Sequence, residues 1–182
     1  LDYAKLAVAE LGSISERRTA TLVDPRLNGG LPPFLAASSG VESGMMIYQY
    51  TAAALASEHK VLAHPASADS IPTSANQEDH VSMGSIAARH ARTILHGVER
   101  IIAIELVVAA QALDLRRAAM AGEADGSAPK PGVGVADAHA RIRERIAHLD
   151  RDREPGPDLA AAFELVRNGA LVDLTGEVGT AR

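Results

Sequence analysis

From Val81 to about Arg117 the chain carries one unbroken helical seam. Ala87, Ala91, Ile94, Val98, Ile101, Glu105, Val108, Ala112 and Leu115 follow one another in alternating steps of four and three. That spacing puts all of them on one side of an α-helix. At 1.5 Å per residue the helix is roughly 50 Å long, which suits a long-helix bundle better than an ordinary globular core. Ile86, Ile102, Leu106 and Val107 lie off the seam. A helix apolar on more than one side is buried by several neighbours. One chain of 182 residues supplies few, so the expectation is that further subunits cover this helix.

The rest of the chain is helix separated by breakers. Alanine fills 35 positions, and Tyr and Phe together only five, a composition that favours helix over sheet. A first helix spans residues 2–23, with Ala4, Ala7, Leu11, Ile14, Arg18 and Thr21 as the face turned toward a partner and Asp24-Pro25 as its stop. Asn28-Gly29-Gly30 and Pro32-Pro33 form a loop. A second helix spans residues 43–63, with Met45, Tyr48, Ala52, Leu55, His59 and Leu62 on one side, and ends at His64-Pro65. Residues 118–135, rich in Ala, Gly, Asp and Pro, are expected to be a flexible linker or loop. Two short helices follow within residues 136–167: one over 137–150 with Ile142, Ile146 and Leu149 inward, and one from a capping Asp158 to about Val166. Residues 168–182 are expected to be a frayed tail. The central segment is then 1–117.

Several classes of function drop out. Without cysteine there is no disulfide framework and no thiolate metal or redox site. A net charge of −5 with few aromatics argues against a nucleic-acid surface. The most apolar run, residues 101–113, is interrupted by Glu105 and Gln111, so no membrane span is expected. With no signal peptide in view, the expected location is cytoplasmic. The chain opens at Leu1 in what reads as mid-helix, uncapped, which leads us to expect a fragment of a longer protein.

Chemistry concentrates in residues 69–84, a polar stretch leading into the long helix. Backbone N–H groups at a helix start are unpaired and attract negative charge. Glu78, Asp79 and His80 sit just before the expected start. An ionised Glu78 offers two acceptor oxygens to a ligand carrying an N–H or a positive charge. The plainer reading is that Asp79 caps the helix and Glu78 is solvated. His80, His90 and His96 lack metal-ligand spacing, so no metal is expected. His59 reads as a packed core histidine, Tyr48 and Tyr50 as core, and Glu105 as a charge paired across subunits.

Four runs carry a family resemblance: Gly12-Ser13-Ile14-Ser15-Glu16-Arg17-Arg18, Gly30-Leu31-Pro32-Pro33-Phe34-Leu35, Thr51-Ala52-Ala53-Ala54-Leu55-Ala56-Ser57-Glu58, and above all residues 65–70 continuing to Gln77-Glu78-Asp79-His80-Val81-Ser82-Met83-Gly84. Over residues 1–150 the chain resembles the C-terminal part of the histidine ammonia-lyases, within the aromatic amino acid ammonia-lyase family. The resemblance implies an all-α, long antiparallel helical bundle of the ammonia-lyase/fumarase-aspartase type and a homotetramer with sites built from several subunits. It implies elimination of ammonia from L-histidine to give urocanate. It also implies a methylidene-imidazolone electrophile formed from an internal Ala-Ser-Gly. That tripeptide does not occur here, the nearest run being Ala37-Ser38-Ser39-Gly40. Glu78 matches the glutamate that faces the substrate imidazole, and Gln77 is expected either to touch the ring side or to support a residue that does. Asp79 and His80 organise the loop.

Three readings follow. The chain is one wall of a histidine ammonia-lyase, inactive alone and self-associating. Alternatively it belongs to an ammonia-lyase or aminomutase for another aromatic amino acid, against which Glu78 argues because a benzene ring has no N–H to pair. The third reading is a non-catalytic helical scaffold subunit.

Overall fold

The structure, a computed structural model, describes residues 1–123 and 130–172. Five helices follow in order: α1 (Asp2–Val23), α2 (Met46–Leu62), α3 (Gly84–Glu123), α4 (Val133–Arg143) and α5 (Gly156–Arg167). Short 3-10 turns stand at Pro33–Leu35 and Ala66–Ala68. Among the described residues there is no strand, only isolated bridges at Ser39–Glu42 and Thr73–Glu78, and no helix is long and apolar enough to cross a membrane. The fold is all-α.

The 40-residue α3, about 60 Å long, is the axis on which the other helices pack. Its seam is as expected: Ile94, Val98, Ile101, Val108 and Ala112 are buried. Ala103, Ile104 and Val107 are buried as well, in one cluster with residues of α2, α4 and α5. The chain's own α2, α4 and α5 thus cover part of α3, while Ile86, Ile102 and Leu106 stay half-buried.

The first helix packs on the rest of the chain by a face other than the one its apolar spacing marks. Ala4, Ala7, Leu11, Ile14, Arg18 and Thr21 are all exposed, and the buried positions are Lys5, Gly12, Ser15, Glu16, Thr19 and Val23. A polar inner face is viable because each group has a partner. Lys5 Nζ meets Asp2 Oδ1 at 2.7 Å and donates to the His64 carbonyl at 2.6 Å. Ser15 Oγ donates to Glu105 at 2.5 Å, and Thr19 Oγ1 donates to the Ser15 carbonyl. Glu16 accepts from Arg17 and Gln49. Burial alone would raise the Glu16 pKa, but those hydrogen bonds outweigh it and hold the group below the ordinary carboxylate range. Gly12 has a packing reason, since a Cβ there would stand 2.9 Å from Val98 Cγ2. Glu105 pairs inside the chain, with Ser15 and with Arg18 at 3.4 Å.

Helix ends move for local reasons. The second helix starts at Met46 and not near Ser43, because the Ser43 and Gly44 N–H groups donate to the Asp152 carboxylate, both at 2.8 Å. Gly44 is also left-handed at φ 53°, a conformation that suits glycine. The third helix starts at Gly84, not Val81: the Val81 N–H donates to Ser70 Oγ and the Gly84 N–H to Ser82 Oγ. It runs on to Glu123, and α4 begins at Val133, so the described ends of 118–135 are largely helical; residues 124–129 of that expected linker lie outside the described residues. α4 ends at Arg143, whose guanidinium takes the Ile146 and Ala147 carbonyls. Ile146 and Leu149 are nevertheless buried as expected.

The C-terminal layer is clasped to α3 by polar groups. The buried Gln111 side chain exchanges two hydrogen bonds with the Leu149 backbone. Asp114 meets His139 at 2.6 Å, Arg143 at 2.8 Å and His148 at 3.0 Å. Asp158 does not cap α5; it pairs with Arg153 at 2.7 Å. The helix closes through Gly169, at φ 66°, with Ala170 N–H donating to the Leu165 carbonyl. Of the expected tail, residues 173–182 lie outside the described residues.

Candidate functional site

The polar segment between α2 and α3 is anchored at both ends. Asp2 accepts from the Ala66 and Ser67 N–H groups at 3.2 and 2.8 Å. Hydrogen bonds from Lys5 and Ser67 hold the Asp2 carboxyl well below the usual range. At the far end Ser70 Oγ holds Val81. Between them the backbone folds into a tight loop: Thr73 N–H donates to the Glu78 carbonyl at 3.0 Å, and Glu78 N–H donates back at 3.3 Å.

The apex is unusual. Ser74, Ala75 and Asn76 are all left-handed, at φ 52°, 53° and 67°. Each L residue there costs roughly 1–2 kcal/mol. Only Asn tolerates the region readily. Strain of this kind concentrates at functional sites, where surrounding contacts enforce it.

Gln77 and Glu78 follow the apex directly and are both exposed. Glu78 stands six residues before α3, so it is not at the helix start; what positions it is the loop pinned by Thr73. Among the described residues its carboxylate takes part in no hydrogen bond or ion pair, and only its backbone is engaged. Asp79 is likewise exposed and does not cap α3. His80 lines a cavity of about 360 Å³ with Asp2, Asp69, Met83 and Ala87. The loop thus offers solvent an uncommitted acceptor pair on a backbone folded back by the Thr73–Glu78 hydrogen bonds.

Other candidates resolve differently. His59 is a core residue at 2% exposure, and burial lowers its pKa. Tyr48 is buried, but Tyr50 is exposed. No group of three or more His, Asp or Glu among the described residues could hold a metal ion. The sequence reading missed the strain at Ser74–Asn76, for which the single Asn is the only local signal. It also missed the Asp114 clasp and a cluster of arginines on α3 and α5, whose members lie too far apart in sequence to read as a group.

The family model described as "Aromatic amino acid lyase" matches residues 1–144. A histidine ammonia-lyase of Symbiobacterium thermophilum is 57% identical over 175 residues, covering 94% of this chain and 32% of that protein. One from Natranaerobius thermophilus is 51% identical over 172 residues, with the same coverage. The crystal structure of histidine ammonia-lyase from Trypanosoma cruzi superposes with a TM-score of 0.86 at 43% identity, over 95% of this chain and 32% of that one. Tyrosine aminomutase from Streptomyces globisporus gives 0.82 at 32% identity, over 95% and 31%. The chain spans about a third of the length of these relatives. With its match to the family model and this identity to lyase sequences along nearly its whole length, the chain belongs to the aromatic amino acid lyase family.

Proposed function

We propose that this chain forms one wall of the active site of a histidine ammonia-lyase, which eliminates ammonia from L-histidine to give urocanate. In this reading residues 1–117 are the central bundle segment and the short helices of 136–167 a layer clasped to it. The observation that carries the reading is the Glu78 carboxylate, presented without an internal partner beside a strained, pinned turn. It is supported by the 57% identity to a lyase bearing that name.

The resemblance implies a methylidene-imidazolone group, and this chain does not supply it: no Ala-Ser-Gly occurs in the sequence. What the chain's own residues do is bind and orient. Ionised Glu78 accepts a hydrogen bond from the imidazole N–H and holds the side chain in place, and Gln77 makes a second, ring-side contact. Holding a reactant in its reactive geometry can lower a barrier by several kcal/mol. A homotetramer and a cytoplasmic location go with this reading. The exposed apolar face of α1, with Leu11 and Ile14, supports burial against another part of an assembly.

A tyrosine aminomutase shares the fold; Glu78 argues against a phenylalanine substrate, because a benzene ring offers it no N–H to pair. The test is Glu78→Gln and Glu78→Ala in the complete enzyme. A charge-assisted hydrogen bond is worth about 1.5–3 kcal/mol, so kcat/KM for histidine should fall at least roughly tenfold. Any trace turnover of phenylalanine should fall less. Wild-type kinetics in a folded Glu78→Ala enzyme would refute the assignment.

A further inference from the structure

We propose that the cleft between α2, α3 and α5 binds a small multivalent oxyanion, a phosphate or a dicarboxylate, held by Arg92, Arg100 and Arg167. The cleft has a volume of about 390 Å³ and is separate from the Gln77–Glu78 loop. Arg92 and Arg100 are eight residues apart on α3, two positions of one i, i+4, i+8 row. Arg167 reaches the cleft from the last turn of α5.

Their charges are uncommitted. Arg17, Arg18, Arg26, Arg141, Arg143 and Arg153 are each paired with a carboxylate. Arg92, Arg100 and Arg167 have no such pairing among the described residues. Arg100 and Arg167 instead stand 5.7 and 5.9 Å from the centroid of the Phe163 ring. An aromatic face steadies a guanidinium without neutralising it. Among the described residues Glu58 is the one carboxylate lining the cleft.

An excess of positive charge is therefore gathered in one recess of a chain whose net charge is −5. Like charges brought together repel, and a bound anion with several oxygens relieves that repulsion while accepting from more than one guanidinium fork. The floor is rigid. His59, 2% exposed, packs its ring against Gly97, and both line the cleft. Three exposed arginines stand over that buried floor, two of them braced on Phe163.

The experiment is thermal unfolding of the 182-residue chain in inorganic phosphate and, separately, in succinate, at ionic strength held constant with sodium chloride. The expected result is a saturable rise in Tm of about 3–6 °C at ten times the half-saturating concentration, for one or both anions. Arg100→Gln and Arg167→Gln should abolish the rise; Arg26→Gln, whose partner is Asp24, should keep it. Broadening of the phosphate ³¹P resonance by the wild-type chain, reversed by succinate, reads occupancy without any variant. A shift with phosphate alone or succinate alone supports the site and names its ligand class. No saturable shift with either anion, or an equal shift in folded Arg100→Gln, overturns the proposal.

Discussion

A methyl group at Gly97 has nowhere to go. A Cβ built there overlaps His59 Nε2 outright and stands 2.8 Å from Cε1 and 3.2 Å from Cδ2. The ring cannot retreat: it is 2% exposed, and on its far side Gly12 leaves 3.4 Å between its own Cβ position and His59 Nδ1. On an open helix face, glycine to alanine gains about 1 kcal/mol. Overpacking a filled core costs roughly 1–3 kcal/mol, occasionally more. An overlap this deep belongs at the top of that range, so Gly97→Ala should destabilise the chain by about 2 kcal/mol net. For a chain of this size that lowers Tm by about 4–8 °C. Urea and thermal unfolding followed by far-ultraviolet circular dichroism measures it, with an unchanged m-value required. His59→Ala combined with Gly97→Ala removes the overlap, so the two losses should be less than additive by more than about 1 kcal/mol. Gly97→Ala equal to or more stable than wild type would show that the ring is not wedged between the helices.

Three further outcomes are expected. The Tyr48 hydroxyl is buried without a hydrogen-bond partner, and burial, with Asp158 nearby, pushes its pKa up to about 12; Tyr48→Phe should therefore be neutral or stabilise by up to about 1 kcal/mol in urea unfolding. Acid should destabilise the chain in two stages. Burial lowers the His59 pKa from 6.5, so its contribution is full above that value and is lost as pH falls through the folded pKa. Glu16 and Asp114, both held below their ordinary values of 4.5 and 3.8, add a steeper loss at lower pH; His59→Asn should remove the first stage from a plot of urea midpoint against pH. At the strained apex, Ala75→Gly should raise stability by up to about 1 kcal/mol, because relief of the left-handed cost exceeds the added chain entropy; a loss would mean the apex is not strained.

Legibility followed locality. The seam of Ile94, Val98, Ile101 and Val108 was readable because apolar spacing on one helix depends on nothing beyond that helix. His59 was readable as core because it lies on such a stripe. The facing of α1 was not, since its inner side carries Lys5, Ser15, Glu16 and Thr19, and what makes those groups tolerable lies far away: Glu105 is 90 residues from Ser15. The position of Gln77 and Glu78 in a polar loop could be read from composition and resemblance. The loop's conformation could not, because Ser74 and Ala75 adopt a backbone state that their own chemistry disfavours. The start of α3 was misread by three residues because the hydroxyls of Ser70 and Ser82, rather than a capping Asp79, take the first N–H groups.

The polar face of α1 makes that helix a measuring rod. Near one end Asp2 and Lys5 grip the backbone at His64, Ala66 and Ser67. About 15 Å further along, Gly12 admits Val98 and Ser15 meets Glu105. Greasy surfaces can slide by a turn and still match; these contacts have a single register. Deleting one residue between Lys5 and Ser15 would shift one set of grips against the other by 1.5 Å and rotate it by about 100°. Either the loop or the long helix would then lose its mark, although neither had been altered. The height at which Glu78 is carried is thereby encoded in the number of residues in a helix that never touches it.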